Sequence, residues 1–499
     1  MYKHGIEVTE KATSFPSPTS TRYGVQVIFG TAPVNLAKKP AVNKPVMAST
    51  FDEAEAALGY SDDWEHYTLC QSMRASYELF QVNPVIFINV LDPKQHVKDL
   101  ESVDCDVKNH QAVVKKSGIL ADTVNITAQL STSRAGLARV GESRVANENE
   151  VLENGKDYIT GFDDYGNLTI TVLSTGKAYE ATKLSVTGKI LDPEKVTEED
   201  LIGAYDVETG KETGLEVLRQ VYPMYGIAPG MLLAPGWTQK PNVGAALQAK
   251  CEDISGAFRS VCILDLDTAL TKKYTDCEKT KKDMGYNDEH AIVLWPMVTA
   301  GGNRYSYSAI YGAMMSYVTA SNNDVPYLYP SSKELNVDGA VLADGTEILL
   351  DQVQAGVLNG AGIVTAFHDT TWKSYGNNTG CYPENTDPKD RWIGCRRMFD
   401  YVANYFVTEY RKRLDGNQNR RLVDDIINSF NIWGNSLVAA GMCAGLRAEY
   451  RSEENSHDDI LAGRLKLRIY FAPYTPAEYI NTVMEFDVSA LEAEMAQEG

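Results

Sequence analysis

The sequence contains no apolar run of the roughly 18 residues that a helix needs to cross a bilayer, so no membrane insertion is expected. Its first residues lack the apolar core of a secretory signal, and we therefore expect the protein to fold in a cytoplasm. The eight cysteines are scattered along 499 residues without a Cys-x-x-Cys pair or any regular spacing. Zinc sites and disulfide frameworks need such spacing, so we expect reduced, mostly buried thiols.

Short catalytic motifs are missing as well. The sequence has no Gly-x-x-x-x-Gly-Lys-Ser/Thr, Gly-x-Gly-x-x-Gly, His-Glu-x-x-His or Gly-x-Ser-x-Gly pattern. This removes the commonest phosphate, dinucleotide, zinc and acyl-transfer sites. The most suggestive histidine lies in His457-Asp-Asp459, within a run of charged residues. That run is either a solvated loop or part of a metal ligand set. We expect no cofactor and no metal.

The charge balance argues against one further class of function. The chain has 67 acidic and 47 basic residues, for a formal net charge of -20. An acidic protein is repelled by phosphate unless it carries a strong local basic face, so we expect no nucleic-acid partner. At roughly 150 residues per domain, the length suggests about three domains.

One stretch is the best candidate for catalysis. The apolar residues 261–264 run into Asp265-Leu-Asp267, which is how haloacid-dehalogenase-type phosphatases present an aspartate nucleophile and its acid/base partner beside magnesium. Ala269 stands where that pattern has Thr or Val, and the lysine and carboxylate pair it needs downstream cannot be placed. The other interpretation is a strand end with a helix-capping aspartate. A hydrolase or phosphatase using Asp265 and Asp267 is the alternative hypothesis for the function.

Basic charge is concentrated between residues 391 and 421, which contain eight Arg and Lys residues and only three acidic residues. Part of this charge, Arg411-Lys-Arg413, follows a predicted helix, where cations compensate the negative end of the helix dipole. The second interpretation is a docking face for an acidic protein partner. The sequence pattern leaves both open.

The sequence pattern predicts five segments that differ in composition and in the spacing of their apolar residues. Residues 1–22 form an extended arm, because a Pro- and hydroxyl-rich stretch cannot build a packed element. Residues 23–104 and 191–375 alternate apolar strands with helical patterns, which indicates a largely parallel sheet. Between them, residues 105–190 are rich in Thr, Val and Gly with hairpin-like breaks, and they predict an inserted antiparallel β module.

The last segment, residues 376–499, predicts an α+β domain. Two helical stripes at 392–410 and 422–437 are followed by a flexible linker at 452–463 and then by two alternating strands. We expect these two strands to pair around a turn at Pro473 and Pro476. Their apolar positions are Leu465, Leu467, Ile469 and Phe471 in the first strand, and Ile480, Met484, Phe486 and Val488 in the second.

Several short segments follow one another along most of the chain. They are Thr31-Ala-Pro33, Asn43-Lys-Pro-Val46 and residues 50–59, then Gly214-Leu-Glu-Val-Leu218, Leu233-Ala-Pro-Gly236, Leu264-Asp265 and Trp295-Pro296, and finally residues 358–365, 372–379, 391–399 and Pro476-Ala-Glu-Tyr-Ile480. In this order they resemble contractile phage tail sheath proteins. Tyr375 stands where that family has a second tryptophan, and the acidic tail after Val488 extends past the family's usual end.

The resemblance implies a structural protein and not an enzyme. Sheath subunits of this family stack as six-fold rings around a rigid inner tube, and they contract to drive that tube through a target envelope. The resemblance also implies a subtilisin-like α/β core with an inserted antiparallel β-sandwich. The protease signatures of that fold are missing from this sequence, so no proteolysis is expected. The implied location is a virion tail, or a phage-derived contractile bacteriocin or injection particle.

The implied partners are further copies of the chain, the tail tube protein, and the baseplate and tail terminator proteins. We expect the copies to exchange strands, with Ile6 and Val8 in the N-terminal arm and the two alternating C-terminal strands as donors. Because the family's C-terminal region lines the inside of the sheath, the basic stretch is the candidate tube-facing patch. Its residues are Arg411, Lys412, Arg413, Arg420 and Arg421.

Overall fold

The centre of the molecule is an eight-stranded sheet, seen in a computed structural model that describes residues 22–129, 150–163 and 165–496. Six parallel strands are flanked on each side by one antiparallel strand. In spatial order the strands are Trp372–Tyr375, Ile363–His368, Ala291–Leu294, Val261–Asp265, Met231–Leu233, Gln26–Gly30, Val85–Asn89 and Pro45–Ala48. The mixed α/β architecture expected from the alternating pattern is confirmed, since strands buried on both faces read as continuous apolar runs.

Helices accompany this sheet and supply the rest of its core. The largest, Tyr307–Ala320, is buried along most of its length. It approaches the sheet closely because Gly312 has no side chain: a Cβ there would lie 2.4 Å from Leu233 Cδ2. The other α-helices of this region are Phe51–Leu58, Leu69–Arg74, Glu198–Ile202, Val221–Tyr225, Pro241–Cys251, Cys277–Asp283 and Gln352–Gly360, and a small antiparallel sheet is formed by Met297–Ala300, Asn303–Tyr305 and Gly339–Val341.

A second core lies between two antiparallel sheets. Leu100 and Leu184 of the first sheet share one apolar cluster with Val114 and Ile170 of the second. The hairpin expected around residues 163–167 is present in this region. The strands of the first sheet are Val97–Asp106, Lys183–Leu191, Asn125–Gln129 and Glu150–Val151, and those of the second are Gln111–Val114, Leu168–Val172 and Tyr158–Phe162.

The C-terminal region packs two long helices against a β-hairpin. The helices Ile393–Tyr410 and Arg420–Ala439 confirm the two predicted stripes. The hairpin strands are Gly445–Tyr450 and Leu467–Ala472. Shorter helices lie at Pro388–Arg391, His457–Leu461 and Val488–Met495. None of the helices in the described ranges is long and apolar enough to cross a membrane.

Two predictions for this region are wrong. Residues 464–471 do not pair with 479–488: strand Leu467–Ala472 pairs with Gly445–Tyr450, and residues 473–487 form no regular element. A strand needs a neighbouring edge to hold its backbone hydrogen bonds, and no strand of the described chain lies beside 479–487. The predicted linker at 452–463 contains a 3₁₀ turn and the helix His457–Leu461, whose first turn is capped by Ser456.

Candidate functional site

The C-terminal hairpin rests on the helix Arg420–Ala439 of its own chain. Leu446 and Ala448 are buried, and the neighbouring strand adds partly buried side chains to the same cluster, around Phe430. Helix and strand can approach this closely because residue 434 is glycine: a Cβ there would lie 2.5 Å from the Leu446 carbonyl oxygen. The cluster is also contacted by Leu465, which precedes the second strand, and by Leu467, Ile469 and Phe471 within that strand.

These four side chains were expected to take part in strand donation. They pack within their own chain, and the strand that carries three of them is already paired along one edge by Gly445–Tyr450. Only its outer edge has no strand beside it in the described part of the chain. An open edge is a template for a strand of another chain. The geometry therefore favours a role for this strand as the acceptor of a strand from another copy. Donation from it stays a prediction.

The other edge of the hairpin is partly covered by a side chain. The Ala448 backbone N–H donates to Asn431 Oδ1 at 2.7 Å, and Asn431 Nδ2 donates to the Ala448 carbonyl at 3.2 Å. Asn431 therefore satisfies the two backbone groups that a further strand would need at this position. The outer edge of Leu467–Ala472 is the more accessible of the two edges.

The segment that follows the hairpin is apolar and exposed. Tyr479 and Ile480 are 84% and 80% exposed, and Met484 and Phe486 are 93% and 74% exposed. So many exposed large apolar side chains in one stretch indicate an interaction surface. The second predicted donor, Ile480, Met484 and Phe486, therefore lies free of its own globule. The first predicted donor, Ile6 and Val8, lies outside the described residues.

The basic stretch divides into an exposed part and a buried part. Arg411, Lys412 and Arg413 form an exposed 3₁₀ turn at the end of the helix Ile393–Tyr410, and Arg420 and Arg421 are exposed at the start of the next helix. Cations at a helix C-terminus are stabilised by the dipole, so both interpretations of Arg411–Arg413 stay open. The tube-facing role of these five residues stays a prediction.

Two arginines of the same stretch, Arg396 and Arg397, are internal. Arg396 bonds the carboxylate of Asp400 and reaches Asp390, while Arg397 Nη2 donates to Thr319 Oγ1 at 2.9 Å. Both guanidinium groups are buried and bonded inside the protein, so they do not contribute to a docking face.

The aspartate pair of the alternative hypothesis has structural roles. Asp265 is 4% exposed and accepts hydrogen bonds from the backbone N–H and the hydroxyl of Ser308, in the first turn of helix Tyr307–Ala320. Burial raises the pKa of its carboxyl to about 6, against the effect of these hydrogen bonds. Asp267 accepts from the backbone N–H of Ala269 in a turn. A buried carboxylate engaged with a helix start is poorly placed to attack a substrate.

One group of side chains has the spacing of a metal site. Glu252, Asp288 and His290 place ligand atoms within 4.8 Å of one another. His290 Nδ1 lies 3.1 Å from Asp288, and its Nε2 lies 3.7 Å from Asp400 on the helix Ile393–Tyr410. Burial opposes the charged form of His290, but these carboxylates outweigh it and raise its pKa to about 10. His290 is buried, Asp288 is partly buried and Glu252 is exposed, so the group is best described as an ion network around His290 that reaches the helix Ile393–Tyr410 through Asp400.

Comparisons with known proteins point in one direction. No family model matches the sequence. The chain is 25% identical over 494 residues to the tail sheath protein of Burkholderia phage BcepMu, covering 96% of this chain and 95% of that protein. It is 22% identical over 288 residues to a protein provisionally identified as the major tail sheath protein of a prophage in Pseudomonas aeruginosa (strain UCBPP-PA14), covering 55% of this chain and 69% of that protein.

One solved structure extends the likeness to the fold. The helical sheath of the anti-feeding prophage in its contracted state matches with a TM-score of 0.55 at 12% identity, over 97% of this chain and 99% of that chain. The two chains therefore share a fold along nearly their whole length. Together with the sequence relatives, this match confirms the resemblance to contractile tail sheath proteins.

Proposed function

We propose that this chain is the structural subunit of a contractile sheath: copies polymerise as a helical, six-fold cylinder around an inner tube, and the cylinder contracts to drive the tube through a target envelope. The observation that carries the proposal is an exposed apolar segment at 479–487 in a chain whose C-terminal hairpin has an open edge. The similarity to the BcepMu tail sheath protein along almost the whole chain supports it.

The assembly would rest on strand addition between copies. Residues 479–487 of one copy would lie beside strand Leu467–Ala472 of the next, with Ile480, Met484 and Phe486 on one face. Each backbone hydrogen bond contributes only about 0.5–1.5 kcal/mol, but a shared strand repeats that contribution in every subunit. The N-terminal arm, with Ile6 and Val8, would add a second shared strand.

Strand exchange also explains how contraction can proceed without dissociation. The shared strands would stay paired while the globular bodies, joined to them through extended segments, slide and rotate. The basic residues 411–413, 420 and 421 would face the acidic surface of an inner tube. The central sheet would be a subtilisin-like core, and the two antiparallel sheets an inserted β-sandwich on the outside.

The remaining partners and the location follow from the same proposal. The sheath would attach to a baseplate at one end and a tail terminator at the other, in a virion tail or in a phage-derived contractile bacteriocin or injection particle made in a bacterial cytoplasm. We propose a structural and not a catalytic role. The burial of Asp265 supports this, because it withdraws the nucleophile of the phosphatase hypothesis from solvent.

A variant of the exposed segment tests the proposal. Replacing Ile480, Met484 and Phe486 together by Ser should leave a folded monomer and abolish long polymers in negative-stain electron microscopy. The matched control is Val483→Ser, which removes an equally exposed apolar side chain, 85% exposed, from the opposite face of the same segment. Normal cylinders from the triple variant would overturn the proposal.

A deletion tests the other arm. Removing residues 1–20 should also abolish long sheaths while leaving a soluble, folded monomer, because it removes the donor around Ile6 and Val8. Circular dichroism of the deleted chain would show that the globule is intact. Polymers of normal length from this variant would contradict strand donation by the N-terminal arm.

A further inference from the structure

A cleft of about 660 Å³ lies where the exposed C-terminal segment leaves the globule. Its walls come from residues 328–333, from helix Gln352–Gly360, from 375–378 and from Arg391, and residues 476–479 run along it. Three segments that carry the sheath resemblance, around 375, 391 and 478, meet in this cleft although they are far apart in the sequence.

One end of residues 474–478 is held by Tyr329. The Tyr329 hydroxyl donates to the Tyr474 carbonyl at 2.8 Å and also lies 3.2 Å from Cys395 Sγ. Its ring lies against Gly394, where an added Cβ would lie 2.7 Å from the ring. The glycine thus provides the space that fixes the direction of this hydroxyl.

The other end is held by Arg391. Its guanidinium lies between two aromatic rings, 4.1 Å from the centre of Tyr382 and 4.0 Å from the centre of Trp392. Its Nε donates to Asn378 Oδ1 at 2.8 Å, and its Nη2 lies 3.6 Å from Glu478 Oε2. Arginine stacked in this way is oriented before it meets a carboxylate, so little entropy is lost on pairing.

The gripped segment is itself stiff. Pro476 fixes φ within it and Pro473 fixes φ directly before it, and neither has an N–H that needs a partner. A Pro-containing extended segment loses little entropy when it lies on an aromatic-lined groove. Immediately after Glu478, exposure rises to 84% at Tyr479. Residues 474, 475, 477 and 478 are themselves exposed, so this segment is held by the contacts of Tyr329 and Arg391 and not by burial.

We propose that Tyr329 and Arg391 form a clamp that fixes residues 474–478 on the body, and that this clamp aims the free segment 479–487 toward the neighbouring subunit. The aiming role rests on the proposed sheath function, whereas the clamp itself is a property of the single chain. Tyr329 and Arg391 are positioning residues, because they act on assembly only through the direction of the exposed segment.

Proteolysis of the unassembled full-length chain tests the clamp. A Glu-specific protease can cut after Glu478, inside the clamp, and after exposed Glu485, outside it. In the wild-type chain the cut after Glu485 should be faster. Arg391→Ala should raise the rate of the cut after Glu478, relative to that after Glu485, by about two- to fivefold, as loss of a partly exposed ion pair implies. Tyr329→Phe should raise it by about threefold while keeping the ring on Gly394.

The control is Arg464→Ala, which removes an exposed arginine paired with Asp459 and should leave the ratio of the two cuts unchanged. Equal cutting at both glutamates in the wild type, or unchanged ratios in both clamp variants, would overturn the clamp. The clamp variants should also lose most polymer in electron microscopy. Normal polymers from a chain whose clamp is open would overturn the aiming role alone, because the sheath function is tested separately by the Ile480, Met484 and Phe486 variant.

Discussion

Asn431 and Ala448 are joined by two hydrogen bonds, one in each direction, between a helix side chain and a strand backbone. The amide group of Asn431 thereby takes the place of a neighbouring strand at the covered edge of the hairpin. This relationship leaves the opposite edge, along Leu467–Ala472, as the one where another chain can add.

We expect Asn431→Ala to lower the free energy of unfolding by about 1–3 kcal/mol, because it leaves a buried N–H and C=O of Ala448 without partners. Thermal or urea unfolding followed by circular dichroism would measure it. Asn428→Ala, at an exposed position of the same helix, is the control and should change stability by less than about 0.5 kcal/mol. Since alanine has a higher helix propensity than asparagine, propensity cannot cause a loss, and a similar loss in both variants would contradict the edge-covering role of Asn431.

Two helical glycines should respond to alanine with opposite signs. Gly434→Ala places a methyl group 2.5 Å from the Leu446 carbonyl, and forcing helix and hairpin apart should cost about 1–3 kcal/mol. Gly356→Ala has open space around its Cβ position and should stabilise the chain by about 0.4–1 kcal/mol. Chemical denaturation of both variants measures the pair. Destabilisation by Gly356→Ala would contradict the packing argument.

The stability of the chain should depend on pH through His290. Its pKa is raised to about 10 in the folded chain, where burial is outweighed by Asp288 and Asp400, and the ordinary value in an unfolded chain is about 6.5. The stabilisation is therefore complete below about pH 6.5 and is lost as the pH rises toward 10. The advantage of the wild type over His290→Gln should shrink across this window, with exposed His457→Gln as the control. A constant advantage from pH 6.5 to 10 would contradict the ion network.

Reversing the exposed basic turn should separate tube binding from self-assembly. Changing Arg411, Lys412 and Arg413 to Glu should impair assembly on tubes more than tube-free polymerisation, because like charges repel an acidic tube. The measurement is the amount of sheath in electron micrographs with and without tubes. The control reverses Lys108, Lys115 and Lys116, three exposed cations on the β module, and makes the same change in net charge. An equal loss of sheath with and without tubes would show that the turn contributes to fold stability and not to tube binding.

Much of the fold was predictable because its signals are local. Strands such as Val85–Asn89 are continuous apolar runs, and helices such as Arg420–Ala439 repeat their apolar residues at steps of three and four. Strand Gly445–Tyr450 was missed because Ala448 gives a weak apolar signal between the charged Arg447 and Glu449. The pairing predicted for 479–488 was wrong because alternation shows that a strand can form and does not show which edge it joins.

The candidate site was predictable only in part, for the same physical reason. The alternation of Ile480, Met484 and Phe486 is visible in the sequence. Only the structure shows that these side chains are exposed and can form an interaction surface. The clamp was not predictable, because Arg391 and Glu478 are distant in the chain and no local pattern links them. The burial of Arg396 and Arg397 could not be predicted either, since a count of charges does not distinguish a buried arginine from an exposed one.

The most direct test of the account is an electron cryo-microscopy reconstruction of polymer assembled from the purified chain. We expect a hollow six-fold helical cylinder in which residues 479–487 of each copy form a strand beside Leu467–Ala472 of a neighbour. A polymer in which both termini fold back onto their own globule, with no strand crossing between copies, would contradict the central claim.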